Sequence, residues 1–168
     1  GTMGCFNSLL ASGAGYECVI YDPCEESLKN RASNQLKLID FLNHENFFKG
    51  VDVNTAIKKI YDCSDLTLAL DGADLISESI PENLELKTKL LQKLEGLVGK
   101  KTIITTNTSG LSLEALSDQI NPKFQFAAMH FHLGSRLVDI VRGTHTSEET
   151  IISIKTFVET LGCGGIIY

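Results

Sequence analysis

No apolar run in the chain approaches the roughly 20 residues that a helix needs to cross a bilayer, so no membrane span is expected. Positive charge is also short: 15 Lys and Arg stand against 21 Asp and Glu, a formal net charge of −6, and the lysines are scattered. That balance argues against nucleic acid or an anionic membrane surface as a partner, while leaving room for a local basic patch that meets a phosphate. Paired cysteines are missing as well. Cys5, Cys18, Cys24, Cys63 and Cys163 form no close pair of the metal-binding type, so no metal is expected. Their odd number and irregular spacing fit a reducing compartment better than a disulfide framework. No basic region precedes an apolar one at Gly1-Thr2-Met3-Gly4, so no signal peptide is expected. The cytoplasm is the expected compartment, with the mitochondrial matrix an alternative for a eukaryotic protein.

What is present is an ordinary globular composition. With 43% hydrophobic and 21% charged residues over 168 positions, the chain can bury the core of one domain. Two hydrophobic periods alternate along it. Gly1 to Gly15 reads as a helix start followed by an apolar helix (Phe6, Leu9, Leu10) that stops at Gly13-Ala14-Gly15. Cys18-Val19-Ile20-Tyr21-Asp22 reads as a short buried strand ending on a carboxylate. Glu25 to Asn43 is helical through Leu28, Leu36, Ile39 and Leu42, and Val51 to Ile60 is a second amphipathic helix. Residues 59 to 63 form a short strand, Asp65 to Leu70 a helical turn and Ala73 to Ile80 a strand. Leu84 to Val98 is the clearest helix, with Leu86, Leu90, Leu91, Leu94 and Leu97 at helical spacing. After it come a strand at Thr102 to Thr105, a helix at Ser112 to Asp118 and a strand from Phe124 to Met129 that ends on His130. Strands near Leu137 to Val141 and at Ile166-Ile167-Tyr168 flank a helix from Ser147 to Leu161.

Strands alternating with helices of ten or more residues imply an α/β fold with a mostly parallel sheet covered on both faces. No repeat or low-complexity linker interrupts it, so one domain over residues 1–168 is the simplest reading. The chain starts on a glycine-rich helix start without the strand that should precede it and ends on a strand. It is expected to be truncated at both ends.

The stretch from Lys101 to Arg142 carries the chemistry. The polar cluster Thr106-Asn107-Thr108-Ser109-Gly110 lies where one buried strand stops, and His130 lies where the next one stops. In open α/β sheets ligands bind outside the carboxyl ends of strands, so Asn107, Ser109 and His130 would share one reaction site.

A nucleotide is the expected companion. Gly1-Thr2-Met3-Gly4, directly before a helix, has the form of the second half of a G-x-G-x-x-G loop, whose glycines let the backbone approach a pyrophosphate and pack close to the sheet. Asp22, some 20 residues on at a strand end, is where a carboxylate accepts hydrogen bonds from ribose hydroxyls; it would repel a 2′-phosphate, favouring NAD over NADP. The competing reading is structural: Gly1 and Gly4 cap a helix, and Asp22 N-caps the next one with Pro23 at its first position. In Glu78-Ser79-Ile80-Pro81-Glu82-Asn83-Leu84-Glu85-Leu86-Lys87, composition alone makes Glu82 a helix-start charge and Lys87 a solvated lysine, although both could face the same crevice.

These segments, together with Met129-His130-Phe131 and Leu137-Val138-Asp139-Ile140-Val141-Arg142-Gly143, occur in the order and near the spacing found in 3-hydroxyacyl-CoA dehydrogenases. The chain thus resembles the NAD-binding domain of that family over nearly its whole length. The resemblance implies a Rossmann-type doubly wound fold, its first strand missing here, with NAD as cofactor and an acyl-CoA as substrate. It puts NAD binding on Gly1, Thr2, Met3, Gly4 and Asp22, with Glu82 and Lys87 by the nicotinamide. Asn107 would border cofactor and substrate, Ser109 would bond the substrate's 3-oxygen, and His130 would be the catalytic base. Asp139 matches the carboxylate that orients the histidine, and is one methylene shorter than the family's glutamate. The family also implies a helical domain following this one, which supplies dimer contacts.

Imidazole, with an unperturbed pKa near 6.5, suits reversible transfer of a hydroxyl proton, and a serine hydroxyl can steady the oxygen. The chain departs from the family after His130. Phe131-His132-Leu133-Gly134-Ser135-Arg136 is about three residues short, and it makes His132 a competing base. A relative acting on another hydroxy acid or hydroxymethyl compound, or a non-catalytic nucleotide-binding module, are the alternative functions. Phe47-Phe48, Cys5 and Cys163 read as packing. His44, His145, Lys58-Lys59 and Lys100-Lys101 read as surface.

Overall fold

The structure, a computed structural model, describes residues 1–43, 47–118 and 125–168, in two compact units, Gly1–Ala69 and Leu70–Tyr168. The expected positions of His44 and Phe124 lie outside the described residues.

The first unit starts with α1 (Thr2–Gly13), whose Phe6, Leu9 and Leu10 are buried as the apolar spacing predicts. At Gly13 a Cβ would stand 2.7 Å from Val51 Cγ1, so a larger residue there would have to displace the Val51 side chain. Gly15 then takes φ 101° to turn the chain. β1 (Cys18–Tyr21) pairs in parallel with β2 (Ile60–Cys63), from Cys18 opposite Ile60 to Tyr21 opposite Cys63. β1 is not the buried strand expected from its apolar sequence: Val19 is 49% exposed. Its apolar run fits a covered strand, but among the described residues β2 is its one strand partner, and burial of an apolar strand depends on what covers its faces.

The helix expected from Glu25 to Asn43 is two, α2 (Glu25–Lys29) and α3 (Arg31–Asn43). Asn30 separates them; its Nδ2 donates to the Glu26 carbonyl and carboxylate at 2.9 Å each, a local bond that competes with helix continuation. In α3 it is Gln35 that points inward, while Leu36 is exposed. Gln35 donates to the Cys5 carbonyl and Ser8 hydroxyl and accepts from Arg31, which also pairs with Asp62 at 2.7 Å. A satisfied polar cluster therefore displaces a leucine from the packed face. The unit is completed by α4 (Val53–Lys58) and α5 (Leu66–Ala69), close to their expected spans.

The second unit holds β3 (Leu75–Glu78), α6 (Leu84–Glu95), β4 (Ile103–Thr106), α7 (Leu113–Ser117), β5 (Gln125–Phe131), β6 (Leu137–Arg142), α8 (Glu148–Thr160) and β7 (Gly164–Ile167). The five strands lie in chain order, and every pairing is parallel except β5 with β6. The mostly parallel sheet is as expected. Phe126, Ala127, Ala128 and Met129 of β5 are all buried. Because successive side chains point to opposite faces, both faces of the sheet are covered along this strand.

The helices start on side-chain caps: Asn83, Ser112 and Ser147 accept from the amides of Leu86, Ala115 and Thr150. The stripe of α6 differs from the leucine pattern. Leu86 and Leu97 are exposed, and Lys87 joins Leu91 and Leu94 inside, at i, i+4 and i+7. Lys87 is thus not the solvated lysine that composition suggests. The β5–β6 connection is tight, with Gly134 at φ 77° and the Ser135 amide donating to the His132 carbonyl at 3.0 Å. The last strand starts two residues earlier than expected, on Gly164-Gly165, where a Cβ at Gly165 would lie 2.8 Å from Ile140 Cδ1. No helix among the described residues is long and apolar enough to cross a membrane.

Ile140 of β6 is fully buried, opposite Met129 of β5 and Ile167 of β7. Ile140→Ala is expected to cost about 2–5 kcal/mol of unfolding free energy, read from urea denaturation followed by circular dichroism. A change near zero would mean that the sheet does not close around this side chain.

Candidate active site

In the second unit the parallel register sets Glu78 opposite Thr106 and Thr106 opposite Ala128, so β3, β4 and β5 present their carboxyl ends at one edge. Asn107 knits that edge. Its amide donates to the Glu78 carbonyl at 2.8 Å, and its Oδ1 accepts from the Phe131 amide at 2.9 Å. Asn107 Nδ2 makes no hydrogen bond among the described residues and remains a donor for a ligand.

Beneath the edge lies an ion pair. Lys87 Nζ, 1% exposed, donates to Glu78 Oε1 at 2.7 Å and to the Ile80 carbonyl at 3.1 Å. Glu78 also accepts from the Ile80 amide and from Thr106 Oγ1, at 2.7 and 2.6 Å. Buried charges persist when paired and fully hydrogen-bonded, and this carboxylate uses both oxygens. Glu78 and Thr106 were not among the candidate site residues. The one available signal was a carboxylate at a strand end within the Glu78–Lys87 run.

Glu82 acts on the other side of Lys87, 3.5 Å from its ammonium. Its Oε1 collects the Thr108 hydroxyl and the amides of Ser109 and Gly110, the amides at 2.9 and 3.0 Å. Burial works against its charged form. The hydrogen bonds from Thr108, Gly110 and Ser109, with the Lys87 charge, outweigh that and lower its pKa to about 2. Glu82 is therefore the anchor of the polar loop rather than a simple helix-start charge, since the cap itself is Asn83. With its amide held, Ser109 is exposed and its hydroxyl has no hydrogen bond among the described residues.

His130 and Asp139 face each other in the antiparallel register of β5 and β6. The expected pair is nonetheless stretched: His130 Nδ1 is 3.6 Å from Asp139 Oδ2, beyond hydrogen-bond length. The same oxygen is 2.8 Å from His132 Nε2, whose ring centroid lies 4.2 Å from that of His130. A carboxylate only accepts, so His132 carries its proton on Nε2. That hydrogen bond, against the opposing effect of burial and with both imidazoles near, holds the Asp139 carboxyl below its ordinary range. The short connection brings His132 back over the carboxylate, which is why Asp139 leans away from His130.

In the first unit, α1 starts on Gly1 with no side-chain cap, and a Cβ at Gly1 or Gly4 would meet nothing within 4 Å. The amides at Thr2, Met3 and Gly4 thus begin a 12-residue helix without an acceptor of their own. Asp22 Oδ1 accepts from the Cys24 amide at 2.9 Å, and Oδ2 makes no hydrogen bond among the described residues. The cap of α2 is Cys24, so Asp22 is not the N-cap of that helix. Free amides at a helix start suit a phosphate group, and a free carboxylate oxygen at a strand end suits ribose hydroxyls.

The family model of the 3-hydroxyacyl-CoA dehydrogenase NAD binding domain matches residues 1–167. The mitochondrial hydroxyacyl-coenzyme A dehydrogenase of Rattus norvegicus is 28% identical over 170 residues, 96% of this chain and 54% of that protein. The 5-formyl-3-hydroxy-2-methylpyridine 4-carboxylate 5-dehydrogenase of Mesorhizobium japonicum is 25% identical over 96% of this chain and 52% of its own. The crystal structure of 3-hydroxybutyryl-CoA dehydrogenase from Escherichia coli K12 superposes with a TM-score of 0.87 at 26% identity, covering 99% of this chain and 36% of that one. The expected Rossmann-type fold is thereby confirmed. The chain spans about half the length of the curated relatives it matches.

The low pKa of Glu82 makes a prediction about acid stability. A carboxyl at about 2 in the folded protein and near its ordinary 4.5 when unfolded contributes stability that is complete above pH 4.5 and lost as pH falls toward 2. The unfolding free energy of Glu82→Gln should therefore fall less steeply than that of the unaltered chain between those pH values. Equal slopes in urea titrations across that window would contradict the loop anchor.

Proposed function

Because the chain belongs to the family of 3-hydroxyacyl-CoA dehydrogenase NAD-binding domains, with NAD as its cofactor, we propose that the protein oxidises the 3-hydroxyl of an acyl-CoA to the 3-oxo compound. A short substrate such as 3-hydroxybutyryl-CoA fits best with its relatives. The observation that carries this reading is His130 facing Asp139 at the carboxyl edge from which the Ser109 hydroxyl and the Asn107 amide group also project free. NAD, when bound, supplies the hydride acceptor.

His130 takes the proton of the 3-hydroxyl, and the Asp139 carboxylate, 3.6 Å from Nδ1, favours the imidazolium that results. Ser109 donates to the 3-oxygen, with its backbone fixed by Glu82. Asn107 offers Nδ2 while Phe131 holds Oδ1. Gly1, Thr2, Met3, Gly4 and Asp22 hold the nucleotide, and Glu82 and Lys87 stand by the nicotinamide. Residues 1–168 act as the cofactor domain. Dimer contacts and closure over the acyl chain come from a further helical domain, in the cytoplasm or the mitochondrial matrix, in fatty acid β-oxidation.

A second reading is favoured by one observation. The loop after His130 departs from the family, and the relative from Mesorhizobium is a dehydrogenase of a pyridine compound. A different hydroxylated substrate would use the same base and serine.

The test uses the full-length gene product with 3-hydroxybutyryl-CoA and NAD. His130→Ala should lower kcat by about 10²–10⁴-fold while leaving NAD affinity in place. Unchanged turnover would reject the base; absence of turnover in the unaltered protein, with activity on another hydroxy compound, would select the second reading.

A further inference from the structure

The cluster around Asp139 holds more than one base and its carboxylate. Side chains two apart on a strand share a face, and directly opposed residues of an antiparallel pair share it too. His130 at the end of β5, His132 just beyond it and Asp139 opposite His130 on β6 therefore meet on one side of the sheet. One ligand atom from each of the three lies within 4.8 Å of the other two. Asp139 Oδ2 is 2.8 Å from His132 Nε2 and 3.6 Å from His130 Nδ1.

We propose that His130, His132 and Asp139 form a site for a divalent transition ion of the zinc class. Around a tetrahedral ion with bonds of about 2.0–2.1 Å, neighbouring ligand atoms stand about 3.3 Å apart. The two spacings from Asp139 Oδ2 bracket that value, and side-chain rotation would bring the imidazole nitrogens to it. Two imidazoles and one carboxylate suit zinc in charge and softness, and three ligands leave a fourth position for water. The ion takes the place of the proton now shared between His132 Nε2 and Asp139. His132 is the most exposed of the three at 45%, which leaves the cluster open to solvent.

Occupancy has a consequence that rests on the base assigned above. A metal on His130 Nδ1 leaves the ring's one proton on Nε2, so the imidazole cannot accept the proton of a hydroxyl. The ion is then an inhibitor, held by the very carboxylate that would assist the base. Absent His132, only two ligands remain, and the site fails.

The experiment titrates the full-length protein with Zn²⁺ by calorimetry and with Co²⁺ by its visible ligand-field bands. One ion per chain is expected, with affinity falling more than about 100-fold in His132→Ala and in Asp139→Asn, beyond the loss of an outer-shell partner. His145→Ala, on an exposed residue of the same unit, should bind as the unaltered chain does. His132→Ala and Asp139→Asn are checked for folding by circular dichroism. No binding, or binding that survives both substitutions and so belongs to the cysteines, overturns the site. In the full-length protein, the ratio of turnover without and with Zn²⁺ should exceed ten for the unaltered enzyme and approach one in His132→Ala. An ion that binds through these residues without lowering turnover upholds the site and overturns its inhibitory consequence, and with it the role of His130 as base.

Discussion

The buried pair of Lys87 and Glu78 is the constraint on which the carboxyl edge of the second unit depends. An ammonium and a carboxylate at 1% and 0% exposure have given up their water, and an isolated charge in such a place would be expensive. They persist because every neighbour is recruited to them: Ile80 through both its amide and its carbonyl, and Thr106 through its hydroxyl. The network therefore fixes three things together, the end of β3, the end of β4 and the first turn of α6. A pair of this kind gives no large net gain over an apolar replacement, but it makes alternative packings costly, since any shift strands a charge. Its value here is positional.

From that anchor the order passes outward to the surface. Lys87 stands 3.5 Å from Glu82, and Glu82 gathers the Thr108 hydroxyl and two successive backbone amides. A loop whose amides converge on one carboxylate cannot rotate freely, so Ser109 is presented outward from a held backbone. Asn107 does the equivalent job across the strands, bonding β3 through its backbone and β5 through its side chain. Preorganised donors matter because reorienting them during a reaction would add to its barrier. The polar loop of this chain is thus a rigid feature despite its small, exposed residues.

Much of this was legible in the sequence, and the misses share a cause. Element types were recoverable because the periods of α6, α8, β4 and β5 are strong, and the starts of α7 and α8 lie at Ser112 and Ser147, where the expected helices begin. The edge itself followed from the polar cluster after β4 and the histidine near the end of β5. Lys87 and Gln35 were hidden for the opposite reason. Hydrophobic spacing assigns the inner face to leucines, yet Leu86 and Leu36 are exposed while a lysine and a glutamine go inside. Such burial is decided by partners far away in sequence, Glu78 for one and Arg31 with Cys5 and Ser8 for the other, and no local pattern reports them. Glu82 was noticed, but its role as the holder of residues 108–110 is likewise a long-range fact.

The β5–β6 connection shows how loop length becomes chemistry. Only five residues separate Phe131 from Leu137, and Gly134 takes the left-handed conformation that so tight a return requires. The return keeps His132 near the ladder, on the face it shares with His130, so one carboxylate must serve two imidazoles. Asp139 cannot sit within hydrogen-bond length of both with one oxygen in its present rotamer, and it favours the more exposed ring. A longer side chain at residue 139, or a longer connection, would relax the contest in favour of His130. The same shortness that weakens the support of the base is what brings three ligating groups together. Proton transfer at His130 and ion binding by the cluster are therefore competing uses of a single carboxylate.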